Sequence, residues 1–338
     1  MPWSPSDLNF PMRWLDASNA SSISIASGKV STIQNTIPGY SDIGLDYFTG
    51  GGYGPSVVSA GLNGLDVLSF NGTNSRLSTS NKIADFTTSQ LSVFVVSLLT
   101  GTNPGGIISM RPLTNLTGWS LRYNSKTTLY YYHLGYPTVS AALPADQYAI
   151  IEFIRNGNIV DLGVNGVMNG AIDVGGYVVS NQSAFIGAEN NGTLNYISGR
   201  IAEIIIIGGA VTSSDRQKIE WYMANKWGLT SSLPVGHPYL NAITIGGNVI
   251  VLGGGPGDSV SVIDAVTNEL ISINNIDAGG DWAASVLDGQ YYLLYVADGY
   301  QSQASGPHTV SSGGVSPAIP DIVLGSSSGT IKTVGYAF

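Results

Sequence analysis

The stretch GWSLRYNSKTTLYYYHLGYP, residues 118–137, gathers the side chains best suited to holding a sugar. Aromatic rings stack on the apolar faces of sugar rings, and polar side chains beside them supply directional hydrogen bonds. Trp119, Tyr130, Tyr132, His133 and Tyr136 are the candidate carbohydrate-binding residues. Strand alternation sends Tyr130 and Tyr132 to one face and Tyr131 to the other. One set is expected in the core, and the other forms an exposed aromatic strip. The plainer reading, that tyrosine simply suits a strand, stays open.

Other chemistry finds less to work with. Glycoside hydrolysis requires two carboxyl groups about 5–10 Å apart across the sugar. No Glu-x-Asp or Glu-x-Glu pair places two acids on one strand face. Glu152 and Glu203 stand alone in apolar strands, and Asp16, Asp42, Asp46 and Asp66 are scattered. A lone acid such as Glu203 needs a partner, and Arg200 or Arg13 is the expected one, in a structural ion pair. His133, His237 and His308 lie far apart, without metal-ligand spacing, and read as surface or linker residues. The GGGPG loop (253–257) lacks the lysine and following helix of a phosphate cradle and reads as a turn. No catalytic residue, metal site or cofactor is expected, and the chain reads as a non-enzyme.

The elements that position these residues are mostly strands. SVFVVSLL, SLRYNSKTTLYYYHL and YAIIEFIRNGNIVDLGVNGV are rich in β-branched and aromatic residues, with Asn156-Gly157 and Asn165-Gly166 as turn signals. The segment around Asn156-Gly157 predicts a hairpin. TSSDRQKIEWYMANKWGL predicts an amphipathic helix over about 213–227. Ser214 and Gln217 fit a capping box, and Asp215 suits the positive helix N-terminus. Ile219, Tyr222, Met223 and Trp227 form the apolar stripe, and Gly228 is placed to end the helix. The strand before it, IAEIIII, is apolar on both faces, so the helix is a candidate cover for it. Residues 231–240 read as a linker. Strand patterns resume over 241–315, with turn signals at Thr267-Asn268 and Asp288-Gly289. Residues 316–338 read as a tail that could dock as an edge strand. The expected fold class is all-β: a sandwich over 1–230 closed by one helix, then a small β-sandwich.

The chain has 338 residues, 43% of them hydrophobic and 10% charged, against a usual charged share of ~25%. Its polar surface is therefore drawn mainly from Ser, Thr, Asn and Gly, a habit that suits extracellular or virion-surface β-proteins. The net charge of −9 repels phosphate backbones and anionic membranes, which argues against nucleic acid and membrane partners. There is no cysteine, hence no disulfide or thiolate chemistry. The opening MPWSPSDLNF lacks a basic segment followed by an apolar one, so no signal peptide is expected. The apolar runs 91–99 and 201–211 are too short to span a bilayer as helices.

Three segments carry a resemblance, in order: RWLDASNASSISIASGKVSTIQN (13–35), GLNGLDVLSFNGTNSRL (61–77) and GRIAEIIIIGGAVTSSDRQKIEWYMANKWGL (199–229). Together they resemble the laminin-G-like, concanavalin A-like sandwich domains of phage and prophage structural proteins, over roughly residues 3–230. VSVIDAVTNELI (260–271) and DWAASVLDGQYYLLYVADG (281–299) are similar to small transthyretin-like or carboxypeptidase-regulatory-like β-domains. The resemblance implies a jelly-roll sandwich and a multi-copy virion surface protein, either capsid decoration or tail-associated. The implied partners are other virion proteins and host or environmental glycans. It also implies synthesis in the bacterial cytoplasm. A receptor-binding tail-fibre tip, a glycan depolymerase and a cement protein without a ligand are the rivals. Where such domains often carry an acidic turn, this chain has Phe70-Asn71-Gly72-Thr73-Asn74-Ser75, which disfavours calcium there.

Overall fold

A computed structural model describes residues 4–8, 10, 12–36, 47–79, 89–110, 118–133, 139–175, 183–189, 192–241, 243–251, 259–266, 270–277, 280–286, 289–297, 302–311 and 314–324. The protein is all-β with one α-helix among the described residues. The chain divides into two compact units, Asn9–Val235 and a second made of Met1–Leu8 with Gly236–Phe338.

The larger unit is a sandwich of two antiparallel nine-stranded sheets. In the first sheet, Ser198–Ile207 is central. One of its edges pairs with Gln90–Leu99 along most of its length. Its other edge pairs first with Leu65–Asn71 and then with Met12–Asp16. Tyr148–Asn156 and Ile159–Val164 continue the sheet beyond Gln90–Leu99. The second sheet runs from Val139–Ala142 through Thr128–Tyr132, Ser120–Ser125 and Gly105–Ser109 to Ile23–Ala26 at its far edge. Side chains from both sheets meet in one core, with Val93, Val95 and Ile151 facing Ile107, Ile108 and Leu121. Trp119 and Tyr131 of the second sheet stack on Phe153 of the first, with ring centroids 5.4 and 5.1 Å apart.

The expected hairpin is present: Asn156 pairs with Ile159 across Gly157 and Asn158. At Asn165-Gly166 both residues have positive φ, 53° and 79°, which matches the right-handed strand twist in a two-residue turn. The turn signals at Thr267-Asn268 and Asp288, and the GGGPG loop, lie outside the described residues. The Phe70–Ser75 turn is organised by a neutral amide: Asn71 Oδ1 accepts from the backbone N–H groups of Thr73, Asn74 and Ser75 at 3.0 Å.

Ser213–Trp227 forms the helix. Its N-cap is Thr212 rather than the expected Ser214: the Asp215 N–H donates to Thr212 Oγ1 at 3.1 Å, and the Thr212 hydroxyl donates to the Asp215 carboxylate at 2.8 Å. Thr212 adopts extended backbone just before the first turn, and that is the conformation a cap requires. Gly228, at φ 70°, ends the helix. Ile219, Met223, Ala224 and Trp227 are fully buried over the outer face of the first sheet. This explains why Gln90–Leu99 and Ser198–Ile207 are apolar on both faces.

Glu203 lies in that covered face, 1% exposed. Its partner is neither Arg200 nor Arg13. Arg13 alternates onto the opposite strand face from Trp14, and its guanidinium donates to the Met12 carbonyl. Arg200 bonds Tyr148 instead. The charge comes from the helix: Lys226 Nζ lies 3.2 Å from Glu203 and 2.7 Å from Asp16. Trp14 and Trp227 donate their indole N–H groups to Glu203, and the Tyr222 hydroxyl donates at 3.0 Å. Lys226 in turn sits over the rings of Trp227, Tyr222 and Trp14 at 4.9, 5.7 and 6.0 Å. Asn63 Nδ2 caps the helix end by donating to the Lys226 carbonyl at 2.9 Å. WLDAS, GLNGL, IAEI and KWGL thus converge on one buried knot.

The smaller unit pairs a three-stranded sheet with a five-stranded one. Ile243–Val251 is the middle strand of the first, flanked by Asp281–Val286 and, in parallel, by Ile322–Leu324. Val260, Val262, Trp282, Leu293 and Tyr295 form its core.

Removing one member of a buried, hydrogen-bonded ion pair strands the other. Glu203→Ala is therefore expected to cost about 3–5 kcal/mol in denaturant unfolding followed by tryptophan fluorescence. Lys226→Met combined with Glu203→Ala should cost clearly less than the sum of the two single changes.

Candidate functional site

The two faces of the sandwich differ. The helix covers the outer face of the first sheet, whereas the outer face of the second carries half-exposed polar and aromatic side chains. Along Thr128–Tyr132 the burial alternates: Leu129 and Tyr131 are fully buried, and Thr128, Tyr130 and Tyr132 face outward. About 7 Å separates residues two apart on a strand, so the two rings form a short platform.

The neighbouring strands extend this platform by register. Tyr130 lies opposite Ser140 on one side and Arg122 on the other. Arg122 in turn lies opposite Gly106, and Tyr132 lies opposite Ser120. The Arg122 guanidinium sits 5.1 Å from the centre of the Tyr132 ring. It also donates to Glu189 Oε2 at 3.2 Å. The Glu189 side chain is wholly buried and accepts from the Ser120 hydroxyl and, at 2.6 Å, from Asn195 Nδ2. Gly106 makes room for it, because a Cβ there would lie 2.5 Å from Glu189 Cγ. The result is an arginine fixed in orientation beside an aromatic pair. A positioned guanidinium and phenol hydroxyls donate to ligand oxygens, and ring faces take apolar C–H surface.

The candidate residues thus divide. Tyr130 and Tyr132 face outward. Trp119 and His133 do not: they are 1% and 3% exposed, and their rings stack on Phe153 and Tyr131. The physical reason is parity. Trp119 shares the inward face with Leu121 and Tyr123, and His133 with Leu129 and Tyr131, so neither ring can lie against a ligand. Tyr136 lies outside the described residues. Arg122 and Ser120 were recoverable from the same alternation in SLRYNS. Glu189 carried no local signal, since it reaches the site from a distant bridge with Leu194.

All three histidines are buried rather than on the surface. His237 is 4% exposed, and His308 is 2% exposed and held between Ser305 and the Pro317 carbonyl. Among the described residues no group of three or more His, Asp or Glu is placed to hold a metal ion.

The fold does bring two acids together. Glu152 of the first sheet meets Glu220 of the helix, and both are fully buried. They hydrogen-bond to each other. Arg216 contacts both, and the Gly166 N–H donates to Glu152 Oε1 at 2.7 Å. Burial first, and then the neighbouring Glu220, push the Glu152 carboxyl well above its ordinary value. Two acids in direct contact leave no room for a sugar between them.

No family model matches the chain, and no curated protein matches its sequence. Among solved structures it is similar to a Trypanosoma rangeli sialidase in complex with sialic acid, at 10% identity and TM-score 0.48, over 67% of this chain and 35% of that one. It is also similar to domain 4 of AbnA, a GH43 extracellular arabinanase from Geobacillus stearothermophilus in complex with arabinotriose. There the identity is 18% and the TM-score 0.40, over 62% of this chain and 96% of that one. A third is the botulinum neurotoxin serotype D binding domain, at 11% identity and TM-score 0.43, over 79% and 72% of the two chains. The chain spans about a third of the sialidase's length. With TM-scores below 0.5, these likenesses assign no activity or ligand.

A raised folded-state pKa stabilises the fold below the unfolded value and loses that contribution as pH climbs through the folded value. Stability of the sandwich should therefore fall as pH rises from the ordinary glutamate value of 4.5. Glu203, raised chiefly by burial and partly offset by Lys226, adds to the same slope. Glu152→Gln should flatten the slope and raise the melting temperature above that window, as read by thermal melts from pH 4 to 8.

Proposed function

We propose that the larger unit is a lectin-like glycan-binding module and that the chain is a non-enzymatic surface protein of a phage particle. The observation that carries the binding reading is the outward pair Tyr130 and Tyr132, with Arg122 held beside them by the buried Glu189. A buried carboxylate that orients an arginine whose side chain is 14% exposed prepares a directional donor before a ligand arrives, which lowers the cost of binding. The virion reading rests on the ordered resemblance of the WLDAS, GLNGL and IAEI…KWGL segments to phage structural domains. In this role the protein decorates a capsid or tail in many copies, alongside other virion proteins, so that weak contacts to host or environmental glycans gain by avidity. Absence of catalysis is part of the proposal: the two acids in contact are sealed from solvent.

A glycan array probed with the full chain should give selective signals. Tyr130→Ala/Tyr132→Ala should lower them at least tenfold without changing the melting temperature by more than a degree or two. Arg122→Ala should do the same, whereas Arg122→Lys should recover only part of the binding, since lysine cannot present the planar fork. A flat array, or signals unchanged by these variants, would remove the lectin reading. Release of saccharide from those glycans would remove the non-enzymatic one. Immunogold microscopy of intact particles tests the virion assignment.

A further inference from the structure

We propose a second ligand site, on the opposite side of the sandwich from the aromatic platform, that takes one neutral sugar ring. It rests on a cleft of about 270 Å³ beside the Tyr148–Asn156 and Ile159–Val164 hairpin and the first turn of the helix. Small-molecule pockets begin at roughly 300 Å³ for drug-sized ligands, so this volume suits a single ring.

The chemistry of the walls narrows the occupant. Ile154, Ile159, Met168 and Val211 give an apolar wall. Asn156, Asp161, Ser213 and Arg216 give a polar one. Register places Ile154 opposite Asp161 and Asn156 opposite Ile159, so both kinds of wall are built from one hairpin. Arg216 spends Nη1 on Glu152 and Glu220. No hydrogen bond among the described residues uses its Nε or Nη2. The buried acids hold the guanidinium from behind, and its remaining donors stay free for a ligand.

Charge excludes ions at either extreme. A strong anion entering the cleft meets Asp161, and a cation meets Arg216. A neutral ring with hydroxyls satisfies both, since one hydroxyl can accept from the arginine while its neighbour donates to the carboxylate. Its apolar C–H face covers the isoleucine and methionine side. Ile159, 41% exposed, is then an element of the site rather than a stray surface residue.

The test follows the isoleucine and methionine methyl resonances of the full chain during titration with glucose, galactose, mannose and N-acetylglucosamine. At least one sugar should produce saturable shifts at Ile154, Ile159 and Met168. Ala171, an exposed position on the lining, offers a blocking variant. Ala171→Trp should weaken that binding at least tenfold. Ile159→Trp should do the same from the facing wall, so the outcome does not hinge on how one position tolerates bulk. Tyr130→Ala/Tyr132→Ala should leave the shifts in place even if it abolishes array binding, which separates this site from the platform. Absence of shifts with all four sugars, retention of full affinity in both blocked variants, or loss of the shifts in the tyrosine variant would overturn the proposal.

Discussion

A carboxylate held out of water in the middle of a β-sheet is the constraint around which the larger unit is organised. Glu203 would be costly among isoleucines unless its charge and both its oxygens were met. Lys226 meets the charge, while two indole N–H groups and a phenol hydroxyl meet the oxygens. These partners come from the first strand and from the end of the helix, far apart in the chain. Satisfying one acid thus fixes the helix to the sheet in one position and one rotation. The lysine is enclosed by three aromatic rings, so its own hydration loss is partly returned by ring faces.

That attachment decides what each side of the sandwich can do. Covered by the helix, the first sheet must be apolar on both faces or satisfy its polar groups internally. It satisfies its acids in this way at Glu203 and at the Glu152–Glu220 pair. Among the described residues no helix covers the second sheet over Tyr130 and Tyr132, and its outward positions carry polar and aromatic side chains. The buried acids therefore serve different ends. Glu203 and Glu152 anchor the helix, and Glu189 orients an arginine at the surface.

Much of the fold was legible because it depends on local chemistry. The hairpin at Gly157 and the tight turn at Asn165-Gly166 follow from turn residues, and the helix and its glycine stop follow from stripe and cap chemistry. The N-cap moved by two residues because Thr212, Ser213 and Ser214 are all competent caps, and backbone conformation, not residue type, chose among them. The candidate site was legible in half. Tyr130 and Tyr132 alternate against Tyr131 in plain view. The same alternation already sent His133 and Trp119 inward, and grouping them with the outward tyrosines set residue type above parity.

By itself the sequence determined the all-β class, the single closing helix and the rule that alternate residues of a strand part company, because each is set by contacts between near neighbours in the chain. Tertiary structure alone decided which acid meets which base, which sheet the helix covers and which tyrosine face stays open. Those outcomes depend on side chains that burial forces together across gaps of up to 210 residues. No local pattern records which of several competent partners will be within reach.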